Sequence, residues 1–218
     1  MTLRERRKAA MGEPKPTVFV VDDDVSVRNS LRLLIEAAGW QPELFSSAQA
    51  FLARPRVPTP SCLLLDFALP DINGCDLQKL LADRTDMPII FITGHGDVPM
   101  TIRAMKAGAV DLFTKPFIND VLLSAIREAI DRSRAVLCSA AHLRALRDNY
   151  ASLSLRQREV MALVVVGRLN KEVGGALGIS EITVKAHRGQ VMHKMNAKSL
   201  PDLVRMADRL AAAPGRKD

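Results

Sequence analysis

The stretch Thr17-Val18-Phe19-Val20-Val21-Asp22-Asp23-Asp24 runs five β-prone residues straight into three carboxylates. From Val18 to Val21 no polar residue alternates with an apolar one. Both faces of this segment must therefore be covered, as in a strand of a parallel sheet sheathed by helices. Working outward, the same unit recurs. Helical periodicity follows at 27–37, an apolar run at 43–45 leads to a helical stretch at 48–52, and 62–65 leads to 76–81. The run 88–93 precedes a helix over 100–107, and 111–114 precedes a long helix starting near Asn119. Five strand–helix units with crossovers of this length predict a doubly wound α/β sandwich with right-handed connections.

In an open parallel sheet the carboxyl ends of the strands converge on one crevice, where ligands bind. Here Asp22, Asp23 and Asp24 follow the first strand, Asp66 ends the third, Thr93 the fourth and Lys115 the fifth. Carboxylates within ~4 Å of each other repel by about 4 kcal/mol per pair at an effective dielectric near 20. Asp22, Asp23 and Asp66 together need a cation, and hard oxygen donors select Mg2+. With Lys115 neutralising an incoming phosphoryl group, Asp66 could attack phosphorus and carry an acyl phosphate. An Asp after a strand is more often a helix cap, the reading for Asp24, Asp71 and Asp97. Asp66 differs because it follows Leu63-Leu64-Leu65, where an unpaired carboxylate is costly. His95, a loop histidine, is given no catalytic role.

Val21-Asp22-Asp23-Asp24, Leu65-Asp66, Leu69-Pro70-Asp71-Ile72-Asn73-Gly74, Ile92-Thr93-Gly94-His95-Gly96, Met105-Lys106-Ala107-Gly108-Ala109 and Lys115-Pro116-Phe117 together resemble the receiver domain of two-component response regulators. The resemblance implies a flavodoxin-like five-stranded sheet of order 2-1-3-4-5. It makes Asp66 the phosphoacceptor, and Asp22, Asp23, Asp66 and the backbone carbonyl of Ala68 the ligands of Mg2+. Thr93 becomes the switch hydroxyl, Phe113 the aromatic switch residue and Lys115 the phosphate-pairing lysine, preceding a cis proline.

The chain's 218 residues exceed one domain of about 150, so a medium domain plus a small one fits best. Charge divides along it: residues 17–131 hold ten Lys/Arg against fifteen Asp/Glu, whereas 154–213 hold ten against five. An acidic unit joined to a polyanion binder is the pattern this asymmetry suggests. No apolar run approaches the ~20 residues that span a bilayer, and the basic start precedes Pro14 and Pro16 rather than an apolar signal core; a cytoplasmic protein without membrane contact is expected. Cys62, Cys75 and Cys138 match neither a disulfide framework nor a zinc site. The expected domains are a basic tail 1–16, a receiver 17–131, a semi-rigid helical linker 132–153, a helical domain 154–213 and a tail 214–218.

After Leu153 only helical patterns appear. Ser154 caps a helix to about Val166 that Gly167 ends, a short helix 170–177 leads to Gly178-Ile179-Ser180, and Ser180 caps a longer helix to Met195. Two helices joined by a tight glycine turn are the helix-turn-helix signature. On the longer helix Val184, Val191 and Met195 share an inner face. Ile182, Ala186, Gly189, Gln190 and His193 point outward, flanked by Lys185, Arg188 and Lys194, an arrangement suited to the major groove.

Leu155-Arg156-Gln157-Arg158-Glu159-Val160, Asn170-Lys171-Glu172-Val173, Leu177-Gly178-Ile179-Ser180, Thr183-Val184-Lys185-Ala186-His187-Arg188 and Lys194-Met195-Asn196-Ala197-Lys198-Ser199 resemble the LuxR-type four-helix DNA-binding domain. Receiver plus this domain is the FixJ/NarL type, and Thr93–Met100 and Lys198-Ser199-Leu200-Pro201 lean to the FixJ branch. The DNA contacts then fall on Lys171, Thr183, Lys185, Ala186, His187, Arg188, Gly189, Gln190 and Lys194. Two features depart from the family. Gly174-Gly175 within the short helix costs about 1 kcal/mol per glycine against alanine, and Gly189 stands where relatives often carry a larger, sometimes basic residue.

The expectation is a response regulator, not an enzyme: it takes phosphate from a sensor histidine kinase onto Asp66, dimerises, and binds promoter double-stranded DNA to activate transcription with RNA polymerase. The competing reading is a Mg2+-dependent phosphatase or phosphotransferase with a covalent Asp66 intermediate. Haloacid-dehalogenase-like enzymes place a second Asp two residues after the nucleophile, where this chain has Ala68. Dinucleotide binding lacks a GxGxxG after the first strand, and single-stranded RNA binding lacks stacking aromatics, Tyr150 being the only one after Phe117.

Overall fold

The computed structural model describes residues 15–94, 102 and 104–212. The first fourteen residues of the basic tail, the tail 214–218, His95, Asp97 and part of the helix expected over 100–107 lie outside the described residues; residues 102 and 104–106 are helical. Strands β1 (Thr17–Val21), β2 (Gln41–Phe45), β3 (Ser61–Asp66), β4 (Ile89–Thr93) and β5 (Asp111–Thr114) form one sheet of order β2-β1-β3-β4-β5. Every pairing is parallel.

The alternation of a strand with period two sends its side chains to two apolar layers. Phe19, Val21, Leu63, Leu65 and Phe91 pack with Phe51, Leu77 and Ala104 on one face; Val18, Val20, Leu64, Ile90 and Ile92 pack with Leu31, Ile35, Leu122 and Ile126 on the other. Helices α2 (Ala48–Leu52) and α3 (Gly74–Leu80) thus cover the first face, and α1 (Val25–Ala37) and the start of α4 (Asn119–Ala151) the second. The thiol of Cys62 lies in that second layer, and burial raises its pKa.

Local chemistry sets the helix starts. Asp24 caps α1 by accepting from the backbone N–H groups of Ser26 and Val27, Ser47 caps α2 and Asn73 caps α3. Asp71 is also a cap, but of α2 rather than of the helix after it: its carboxylate accepts from the N–H groups of Ala48 at 3.3 Å and Gln49 at 3.0 Å. Those bonds hold its carboxyl below the ordinary carboxylate range.

The chain divides into two compact units between Cys138 and Ser139, inside α4. The segment 132–153, expected to be a linker, is shared between them. Ser133 is fully buried in the first unit, where its hydroxyl accepts from the Ser61 N–H at 2.9 Å and donates to the Asp86 carbonyl. Leu146 and Leu153 are buried in the second. No helix among the described residues is long and apolar enough to cross a membrane.

The second unit adds α5 (Leu155–Val165), α6 (Asn170–Leu177), α7 (Glu181–Lys194) and α8 (Leu200–Ala212). Ser154 and Gln157 form a capping box at α5. Gly178 ends α6 in the left-handed region at φ 67°, and Ser180 caps α7. Val160, Val164, Val173 and Val184 form one core cluster, and Met161, Val191, Met195 and Leu203 another.

The paired glycines of α6 differ in role. A Cβ at Gly174 would lie 2.7 Å from the backbone oxygen of Ile179, whereas one at Gly175 meets nothing within 4 Å. Gly174 permits the tight return from α6 to α7; Gly175 is open to a side chain. Gly174→Ala should therefore lower the stability of the second unit by about 1–3 kcal/mol through overpacking. Gly175→Ala should raise it by up to about 1 kcal/mol through helix propensity. Thermal unfolding followed by circular dichroism checks both signs.

Candidate functional site

The carboxyl ends of β1, β3 and β5 bring together the groups expected there. Asp22, directly after β1, is 1% exposed, and Asp66, the last residue of β3, is 7% exposed. Carboxylate oxygens of Asp22, Asp23 and Asp66 lie within 4.8 Å of one another, with Asp23 exposed to solvent. The Lys115 ammonium donates to Asp22 Oδ2 at 2.7 Å and to Asp66 Oδ2 at 3.1 Å. The backbone N–H of Asp24 donates to Asp22 Oδ1 at 2.9 Å, and that of Ala68 to Asp66 Oδ1 at 3.2 Å. Lys115 is anchored in turn by its own N–H on the Thr93 carbonyl at 2.8 Å, and its peptide bond to Pro116 is cis.

Burial raises the pKa of Asp22, and the Lys115 hydrogen bond offsets only part of that effect. For Lys115 burial acts to lower the pKa, but the bonds to Asp22 and Asp66 outweigh it and the ammonium is held more tightly protonated than usual. One ammonium thus faces three carboxylates. The nearby Arg28 guanidinium donates to the backbone carbonyl of Asp22, at 2.6 Å, rather than to a carboxylate. Clustered hard oxygens with a deficit of positive charge fit a divalent cation of the Mg2+ class.

Thr93 is 2% exposed at the end of β4. Phe113, expected at the switch position, does not share its face. In the register of β4 and β5 Phe113 lies beside Ile92, and its ring packs into the layer of Val20, Ile92 and Leu122. Leu112 lies beside Phe91 and joins the opposite layer, the face on which Thr93 also falls. The β5 residues on the face of Thr93 are thus Leu112 and Thr114, the latter directly beside it. The expectation followed aromatic character, whereas the register of β5 against β4 decides the face.

In the second unit Val184, Val191 and Met195 are buried, while Ile182, Ala186, Gly189, Gln190 and His193 are exposed along α7. Five polar residues of this helix are held by neighbours, whereas the buried Nδ1 of His187 has no hydrogen-bond partner among the described residues. Lys185 pairs with Glu181 at 3.1 Å, Arg188 donates to Asn170 Oδ1 at 3.2 Å, and Thr183 shares a hydroxyl contact with Ser180 at 2.8 Å. Gln157 donates to Gln190 Oε1 at 2.8 Å. The Lys194 ammonium donates to the Ser152 carbonyl at 2.9 Å and to Gln157 Oε1 at 3.0 Å. His187 is half-buried, and Lys171 is exposed in the first turn of α6.

Sequence reasoning did not single out Gln157, Asn170 or Ser152 as the holders of these side chains. Gln157 carried a signal, since it stands three residues after the capping Ser154. The other two did not, because their partners are 18 and 42 residues away.

Comparison with known proteins agrees with this two-part layout. Residues 18–127 match the family described as response regulator receiver domain, and residues 151–207 match bacterial regulatory proteins of the luxR family. Nodulation protein W of Bradyrhizobium diazoefficiens is 47% identical over 197 residues, covering 90% of this chain and 87% of that protein. Transcriptional regulatory protein FixJ of Rhizobium meliloti is 43% identical over 192 residues, covering 88% and 94%. Among solved structures the response regulator StyR superposes with a TM-score of 0.82 at 43% identity, covering 90% of this chain and 100% of that one.

Replacing Lys115 by Met should leave two buried carboxylates without their shared donor. In metal-free buffer this should lower the stability of the first unit by about 1–3 kcal/mol. The single tryptophan, Trp40, packs in that unit, so its fluorescence during urea unfolding measures the effect; an unchanged midpoint would contradict the assignment.

Proposed function

Because the chain belongs to the response regulators that join a receiver domain to a LuxR-type DNA-binding domain, we propose that it is switched by phosphorylation of Asp66 and acts as a transcriptional activator in the cytoplasm. The receiver is taken as residues 17–131 and the DNA-binding domain as 154–213. The observation that carries the reading is the Asp66 carboxylate, held beside Asp22 and Asp23 and bonded to Lys115 at the open end of the sheet.

A sensor histidine kinase is the phosphoryl donor. An Asp66 oxygen attacks phosphorus while the bond from phosphorus to the kinase imidazole breaks, leaving an acyl phosphate on Asp66. Asp22, Asp23, Asp66 and the Ala68 carbonyl are the residues that would hold Mg2+. When bound, the ion neutralises charge on the phosphoryl oxygens. Lys115, already bonded to Asp66, pairs with a phosphoryl oxygen, and the Thr93 hydroxyl turns to donate to another. Leu112 then repacks into the space beside Thr93, altering the surface around β5 and the start of α4. Dimerisation through that surface would present two copies of α7 to half-sites about 34 Å apart, and the bound dimer would engage RNA polymerase. The reading is of a regulator rather than an enzyme: labelling of Asp66 is stoichiometric, without turnover on phosphate esters.

Incubation with acetyl phosphate and Mg2+ should label the wild type, and Asp66→Asn should abolish both the label and the phosphate-dependent shift to dimer seen by light scattering. A dimer fraction unchanged by Asp66→Asn would defeat the switch. On a duplex selected from a randomised pool by the phosphorylated protein, Lys185→Ala should weaken binding while leaving Asp66 labelling intact. The slope of log affinity against log salt should fall by about one per Lys185 lost. Binding and slope equal to wild type would remove Lys185 from the interface.

A further inference from the structure

The outward face of α7 offers few side chains free to read a base. Lys185, Arg188, Gln190 and Lys194 each engage a neighbour within the unit. Further along, Ala186 carries one methyl group and Gly189 none, and a Cβ at Gly189 would meet nothing within 4 Å. Ile182 stands apart. It is 80% exposed, the most exposed of the large apolar residues among those described, and it belongs to neither core cluster of the second unit.

A lone exposed isoleucine is ordinary on a protein surface, but this one lies in the first turn of α7, two residues after the Ser180 cap. The N-terminal residues of a recognition helix are those that meet base edges. Ala186 and Gly189 follow at four and seven residues, on the same side of the helix, so the row beneath Ile182 is nearly flat and lets the helix approach a duplex closely. An isoleucine cannot bond a phosphate or a polar base edge. The apolar group that the major groove displays is the 5-methyl of thymine.

Resting on the DNA-binding reading above, we propose that Ile182 reads a thymine 5-methyl group in each half-site, making an apolar, sequence-determining contact for which Ala186 and Gly189 leave room.

The test uses the full-length phosphorylated protein and the duplex selected from a randomised pool, remade with each thymine replaced singly by uracil, which lacks only the methyl. One position per half-site should lose about fourfold in affinity, the factor for one buried methyl group. Ile182→Ser should weaken binding to the thymine duplex and bring the thymine-to-uracil ratio at that position to one, while Ile182→Val should retain part of it. The site is exposed, so an unchanged thermal midpoint will show that the variants fold. Undiminished discrimination in Ile182→Ser would overturn the inference by assigning the methyl to another residue. Unchanged affinity in that variant would overturn it by removing Ile182 from the DNA. Selection of no duplex at all would instead bring down the DNA-binding reading, and this inference with it.

Discussion

The Lys115 ammonium holds the acidic end of the sheet together. It bridges Asp22 and Asp66, carboxylates that β1 and β3 deliver side by side because the two strands are hydrogen-bonded neighbours. Without a counter-charge, two nearly buried carboxylates at this separation would repel by several kcal/mol. With it they are held in place, one oxygen of each still bonded to a backbone N–H. The arrangement orients Asp66 while leaving a deficit of positive charge that a divalent cation would make up.

The second unit rests on a constraint of a different kind. Its helix-turn-helix depends on a close backbone approach, with Gly174 against the Ile179 carbonyl, followed by a left-handed residue at Gly178 and a serine cap at Ser180. The return is short enough that Val173 and Val184 share one small cluster. That cluster is what presents the opposite side of α7 to solvent, and the polar side chains there are pre-positioned by Asn170, Gln157 and Ser152.

The sheet and its carboxylate-bearing crevice were legible because they depend on local pattern. Fully apolar runs with short flanking signals define buried parallel strands, and Asp22, Asp66, Thr93 and Lys115 stand at strand ends whatever the neighbours are. The caps Asp24, Ser154 and Ser180 were readable for the same reason. Where the reading missed, the deciding contact was remote. Asp71 caps a helix 23 residues upstream, Ser133 belongs to the first unit through partners 72 and 47 residues away, and Phe113 faces the wrong layer because register, not aromatic character, assigns faces.

By itself the sequence determined the order of elements, the helix boundaries that carry caps, and the residue types gathered at the strand ends, all of which follow from periodicity and short-range hydrogen bonding. Only the tertiary structure decided which carboxylates share one ammonium, that Leu112 rather than Phe113 lies on the face of Thr93, and which of two adjacent glycines is needed. Those outcomes depend on distances between segments far apart in the chain. Such distances are set by packing of the whole core, and no local pattern encodes them.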